Sequence, residues 1–304
     1  MPVFSSRTSI FALKAIVSTV LLTVVLQRLE ISSILEALSR LDLNTLLAAA
    51  VLYVLAHGLN GVKLQMVMTG RPLQDLIRYT FVAQYYGTVL PGQLLGDAIK
   101  AYRLVRPGDD GAAVVAAVVV DKLTGLGALL FVTGLALLID PRGFPVAFPA
   151  LAFVFFAGLI LALVLPIFLS NSTSALDNVL GRFLRAWHLT TGDWWPLLAS
   201  FITGIAFQVL AIVVVAYVGA GMGISLTFAA WAGVVGLVSL VLLLPITVAG
   251  IGLREGSLVI MLGFVGVAPT DAVALSLALL GLTLFGAILG AVADLKYFTD
   301  SDAN

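Results

Sequence analysis

Two stretches of this chain place charged residues directly after a helix-breaking turn inside an apolar run. In VLPGQLLGDAIKAYRL, from Val89 to Leu104, Pro91, Gly92 and Gly96 interrupt the run, and Asp97, Lys100 and Arg103 follow. In LLLPITVAGIGLREGSLVIML, from Leu242 to Leu262, Pro245, Gly250 and Gly252 lead into Arg254 and Glu255. A third pair, Asp121 and Lys122, sits about ten residues into an apolar stretch, roughly 15 Å along a helix. An ionisable group inside a hydrophobic span costs roughly 2.5 to 3.5 kcal/mol on insertion scales, so such groups tend to be paired, wet and functional. Glycine-rich turns that open a half-helix present free N–H groups and the positive end of a dipole, which suits a phosphate. Arg254 adds a planar fork that grips a phosphate through two bonds. The expected phosphate-binding set is therefore Gly92, Gly96, Lys100, Arg103, Lys122, Gly250, Gly252 and Arg254. Asp97, Asp121 and Glu255 are their charge partners, with Asp97 and Glu255 holding Arg254 and a basic neighbour when no ligand is bound; Pro91 and Pro245 break the hairpins. The structural alternatives are that Asp97 only caps a helix, that Arg254 and Glu255 form an interfacial ion pair, and that Asp121 and Lys122 pair between helices. No catalytic residue, metal site or cofactor is expected. There is no cysteine, only His57 and His188 offer imidazoles, and neither a nucleophile nor a nucleotide motif stands out.

The elements that must position these residues follow from composition. Apolar residues make up 61% of the chain and charged ones 11%, with a mean hydropathy of +1.13, far too little polar surface for a soluble globule. Sixteen basic and sixteen acidic residues leave no net charge and give no reason to expect a nucleic-acid partner. Apolar runs of spanning length recur without a linker long enough to separate soluble domains, so residues 1–304 read as one all-α polytopic membrane domain. Full spans are expected over Ile10 to Leu26, Leu43 to Leu59, Ala112 to Ile139, Phe144 to Leu169, Pro196 to Val218 and Ala272 to Ala293. The first is read as a retained anchor, because no small-residue cleavage site follows it. Residues 29–41 carry an apolar face at helical spacing and read as an interfacial amphipathic helix.

Sidedness comes from the basic residues, which cytoplasmic loops retain. Arg7 and Lys14 put the N-terminus inside, and Lys63, Arg71 and Arg78 agree after two spans. A full crossing by Tyr79 to Leu95 would send Lys100, Arg103 and Arg106 outside, so a re-entrant hairpin is expected there. Leu226 to Val267 reads as a second hairpin entering from the outer side. Each half, 1–140 and 141–304, is then span, span, hairpin, span with opposite sidedness, the pattern of an inverted repeat with a midplane site. Both termini fall on the cytoplasmic side of a plasma membrane. Eight or nine conventional spans form the alternative. His57, Asn60 and Lys63 read as the interfacial end of the second span, Trp187, Trp194 and Trp195 as an aromatic belt, and Gly125, Gly127, Gly233 and Gly236 as helix-packing contacts.

LPGQLLGDAIKAYRL resembles the LPGGxGGDxxRxxxL element, and LPITVAGIGLREG the PxSxGGxGxREG element, of the lysylphosphatidylglycerol synthase transmembrane-region family, also called flippase-like. Both elements occur in order, and the resemblance covers nearly the whole chain. Gln93 to Leu95 replaces a more glycine-rich stretch, and Val248-Ala249 stands where a glycine pair is usual, which implies a less open first turn. Relatives with a fused aminoacyl-transfer domain make aminoacylated phospholipid and move it between leaflets. This sequence stops eleven residues past Ala293, so the expectation is the membrane part without that domain. The resemblance implies a translocase, flippase or scramblase, for an anionic phospholipid or lipid-linked sugar phosphate, and not an enzyme. Two alternatives stand beside it. One is an intramembrane enzyme using Asp97, Asp121 or Glu255 as acid or base; the other is a non-transporting partner of a separate glycosyltransferase or aminoacyl transferase.

Overall fold

A computed structural model of the chain describes residues 16–21, 23, 27, 30–90, 93–141, 143–172, 179–244, 246–247 and 250–301, and every regular element among them is helical. Arg7, Lys14 and most of the expected first span lie outside the described residues, as do the hairpin breaks Pro91 and Pro245 and the expected ligand Gly92.

The chain turns its first described corner on an amphipathic helix, α1 (Ile31–Ser39), which buries Ile34 and Ala37 and leaves Ile31 and Leu35 exposed. Helix α2 (Leu43–Val67) starts where the Asp42 carboxylate accepts the Thr45 N–H at 2.8 Å. Next come α3 (Leu73–Val89), α4 (Gln93–Leu104), α5 (Gly111–Ile139) and α6 (Ala147–Ser172). Helix α7 (Val179–Thr191) precedes α8 (Trp194–Gly221), α9 (Phe228–Leu242), α10 (Leu253–Phe264) and α11 (Pro269–Ser301). Asp110, Asp193 and Thr227 cap α5, α8 and α9 with side-chain oxygens.

Five of these helices, α2, α5, α6, α8 and α11, are long and apolar enough to cross a membrane. Apart from Asp121 and Lys122, helix α5 is mostly apolar, and 61% of its most apolar window is buried, against 6% for α6, so α5 is the central post and α6 stands at the periphery. The helices of the two charged stretches are short, and of them only α9 is strongly apolar. Helices α3 and α9 have 17 and 15 residues, roughly 25 and 22 Å, and α4 and α10 have 12 each, roughly 18 Å, all below a hydrocarbon thickness of about 30 Å.

Each short pair folds back on itself. Arg106, just past α4, bonds Asp75 in the first turn of α3 at 2.5 Å, so both outer ends of α3–α4 lie at the end of the bundle where α5 begins. The outer ends of α9–α10 lie at the opposite end. There Thr227 donates to Asp140 at the C-terminus of α5 at 2.7 Å, and a Cβ on Gly143 would overlap the Phe264 carbonyl at the end of α10. Small residues bring the helices together: a Cβ at Gly96 would overlap the Ala83 carbonyl of α3, one at Gly236 the Thr133 side chain of α5, and one at Gly290 the Phe81 carbonyl of α3.

Two sequence expectations shift. Helix α3 begins at Leu73, six residues before the expected Tyr79, because Asp75 and Arg78 break the hydropathy of a segment that is helical throughout. Trp187 is not part of an aromatic belt. It is 2% exposed, and its indole N–H donates to the Leu163 carbonyl of α6 at 3.1 Å, whereas Trp194 and Trp195 are open.

Candidate functional site

Lys63, near the C-terminus of α2, points into the bundle with a side chain only 4% exposed. Its ammonium donates to the Asp121 main-chain carbonyl at 2.6 Å and lies 2.8 Å from the Asp121 carboxylate. Position 125, one turn beyond Asp121, has to be small, because a Cβ there would stand 2.8 Å from the Lys63 nitrogen. Asp121 also faces Lys100 of α4 at 3.6 Å. Lys100 is 3.2 Å from Asp97 one turn earlier, and Asp97 in turn is 2.8 Å from Lys122. The result is a continuous series, Lys63, Asp121, Lys100, Asp97, Lys122, that joins α2, α5 and α4. Alternating signs let each charge be compensated by its neighbours, which a desolvated site demands.

Glu255 and Arg254 are placed by a different device. Gly250 and Gly252 have φ of 76° and 81°, a left-handed conformation that glycine adopts at no steric cost. The turn they make lets the Glu255 carboxylate reach back and accept the Gly252 N–H at 2.6 Å, and its other oxygen accepts the Ser276 hydroxyl of α11 at 2.9 Å. Glu255 thus satisfies the start of α10 and ties it to α11. Of the expected arrangement, in which Asp97 and Glu255 hold Arg254 and a basic neighbour, Asp97 takes the basic neighbours Lys100 and Lys122, and Glu255 acts on Arg254 through space without an ion-pair contact. Asp97 is engaged by two lysines, and among the described residues no carboxylate lies within 4 Å of the Arg254 guanidinium.

Both arrangements open into one cavity of about 400 Å³, between the inner ends of the two short pairs. Lys63, Asp97, Lys100, Asp121, Lys122, Gly250 and Arg254 all line it. Four cationic and two anionic side chains give its wall a formal surplus of two positive charges. Neutral polar groups complete it, among them His57, Asn60, Gln84, Gln208 and Thr283. The His57 ring packs between Tyr53 and Phe81.

Other expected ligands lie elsewhere. Arg103 does not line the cavity; it pairs with Asp294 of α11 at 3.1 Å, and Tyr86 donates to the same carboxylate at 2.7 Å. Gly96 serves the packing of α4 on α3, and Gly252 serves the cap of α10. Conversely, His57, Asn60 and Lys63 belong to the cavity wall rather than to an interfacial helix end. Their three-residue spacing on one face of α2 is the signal that marks them in sequence.

A family model described as the lysylphosphatidylglycerol synthase TM region matches residues 11–290. The chain belongs to this family. The match takes in both charged turns and every described residue of the cavity wall. Membership of the lysylphosphatidylglycerol synthase TM-region family, together with the five long apolar helices, makes the chain a multi-pass membrane protein of a lipid-related family. No curated protein and no solved structure matches it.

Proposed function

We propose that this protein carries an anionic lipid headgroup between the leaflets of the plasma membrane, as a flippase or scramblase. The observation that supports it is the cavity with surplus positive charge between two short helix pairs that enter the bundle from opposite ends. In a bilayer each pair is a re-entrant hairpin, and the two halves, 1–140 and 141–304, are inverted repeats whose hairpins meet at the site. Arg71, Arg78, Arg103 and Arg106 gather at the end where α3–α4 enters, which by the positive-inside rule is the cytoplasmic side and puts both termini there. The headgroup sits in the polar cavity while its tails stay in the hydrocarbon. Arg254, with no described carboxylate within ion-pair distance, offers the phosphate its two-pronged donor, and Lys122 adds a second charge at the open end of the ion series.

An intramembrane enzyme would need Asp97, Asp121 or Glu255 as a free acid or base. Each is committed: the two aspartates to lysines, the glutamate to Gly252 and Ser276.

The test is leaflet exchange of fluorescent anionic lipid in vesicles holding the purified protein. A hydrogen bond to a charged group is worth about 1.5 to 3 kcal/mol, so Arg254→Ala slows exchange roughly 10- to 100-fold. Arg254→Lys keeps the charge, loses the fork and falls between. Exchange at the wild-type rate in Arg254→Ala would remove Arg254 from the ligand site.

A further inference from the structure

Besides its charges the cavity wall carries two side-chain amides, Asn60 and Gln208, that no described residue engages. We propose that these two residues select the part of the headgroup beyond the phosphate, and that this part is uncharged and hydroxylated, as a glycerol or a sugar is, in preference to an amine. The inference rests on the transport reading above and narrows its ligand.

One helix pair supplies both amides. A Cβ on Gly204 of α8 would lie 3.5 Å from the Lys63 side chain, and one on Gly221 would lie 2.8 Å from that of Thr45, so α2 and α8 run antiparallel in close contact. In that register Asn60, a turn before Lys63, stands level with Gln208, a turn past Gly204. Gln84, the third amide of the wall, is engaged by the His57 ring, which leaves Asn60 and Gln208 as the open pair. A side-chain amide presents donors and an acceptor together without charge. A hydroxyl, itself donor and acceptor, matches it.

The charges of the site argue against an amine. Asp121 is held by Lys63 and Lys100, and Asp97 by Lys100 and Lys122. Glu255, buried behind the wall, accepts from Gly252 and Ser276 and acts on Arg254 through space. Every carboxylate at the site is thus engaged, and positions 91, 92, 245, 248 and 249 carry no ionisable side chain. The four cations of the wall stand against Asp97, Asp121 and Glu255, which leaves one positive charge. A single phosphodiester charge meets it. An ammonium on the same headgroup restores the imbalance, in a helix-walled site where an unmatched charge costs far more than in water. A hydroxylated headgroup adds no charge and finds Asn60 and Gln208.

The experiment measures leaflet exchange of three acyl-labelled fluorescent lipids in phosphatidylcholine vesicles holding the full chain. Phosphatidylglycerol and phosphatidylethanol carry the same single negative charge, and only the first has headgroup hydroxyls; phosphatidylethanolamine carries the amine. Phosphatidylglycerol is expected to exchange roughly 5- to 30-fold faster than phosphatidylethanol, the discrimination that one or two neutral hydrogen bonds supply, with phosphatidylethanolamine slowest. Asn60→Leu and Gln208→Met are expected to bring the ratio of the first two rates toward parity, a change that general destabilisation does not produce. Equal protein-dependent rates for phosphatidylglycerol and phosphatidylethanol in the wild type overturn the headgroup class and leave the translocase reading standing. Exchange of phosphatidylethanolamine as fast as phosphatidylglycerol overturns it too, as does a ratio that neither variant moves. Uptake of radiolabelled glycerophosphoglycerol without exchange of any lipid assigns the same chemistry to a free phosphodiester: the lipid-transport reading then fails and the headgroup class survives. With no transport of any kind, thermal unfolding decides: stronger stabilisation by phosphatidylglycerol than by phosphatidylethanol supports the headgroup class, and equal stabilisation overturns it.

Discussion

Lys63 reaches Asp121 across two helices only because position 125 has no side chain. In Gly125→Ala the new methyl group displaces the ammonium, and overpacking of this kind costs about 1 to 3 kcal/mol. Thermal unfolding should show the loss, and the double variant Lys63→Met, Gly125→Ala should recover part of it. Equal melting of Gly125→Ala and wild type would mean that the close approach is not needed. Asp121→Asn is expected to be harsher, at about 3 to 5 kcal/mol, because it strands the buried Lys63 and leaves the buried Lys100 with Asp97 alone. Sequence exposes some of this site and hides the rest for a physical reason. Asp97 and Lys100 stand three apart on a helix and meet, as that spacing allows. Arg254 and Glu255 are neighbours in sequence, but successive helical residues point in different directions, so adjacency is a poor guide to pairing. Lys63 looks like the polar end of a span until the approach of α5 is known.

The short helices carry the next level. Their lengths and their glycine and proline breaks are legible in sequence, whereas the start of α3 is not, since Asp75 and Arg78 look like loop residues. They are kept in the helix by distant partners, Arg106 for Asp75 and the Ala293 carbonyl, 2.9 Å away, for Arg78. Sidedness of the pairs can be read by labelling with a membrane-impermeant thiol reagent. A cysteine at Arg106 is expected to react from the cytoplasmic face, and one at the fully open Val146 only from the other. Reaction of the cysteine at 106 only from the outer face, with the one at 146 reacting only from the cytoplasmic face, removes the fold-back of α3–α4 from the membrane topology. Val146 is the better reporter than nearby Gly143, whose φ of 83° and contact with Phe264 leave no room for a side chain. The loop after α4 also has a pH signature. The Arg106 N–H, which bonds the Asp109 carboxylate at 2.6 Å, holds that carboxyl below its ordinary range, and Arg71 adds to the effect. This tie is complete above the free-carboxyl value of 3.8 and is lost as pH falls through the lower folded value. Proteolysis within residues 105–110 should therefore quicken only below about pH 4, and Asp109→Asn should show the quicker cutting at neutral pH.

At the scale of the molecule the two halves are interleaved. Helix α3 of the first packs on α11 of the second through Gly290, and Tyr86 and Arg103 both close on Asp294. Residues 1–140 and 141–304 expressed as separate chains are expected to yield leaflet exchange only when produced together; exchange by either alone would break the requirement for a shared cavity. Hydropathy shows that there are many spans, and the broken segments flank the charged cavity, but which helices touch is written in single glycines whose partners lie as far away as Phe81 is from Gly290. The ion series has one more consequence, in the order of synthesis. All five of its members lie between positions 63 and 122, so they find one another as soon as α5 leaves the ribosome. Arg254, with no carboxylate within ion-pair distance among the described residues, is made later, when all of the wall but the part from α11 has already been made.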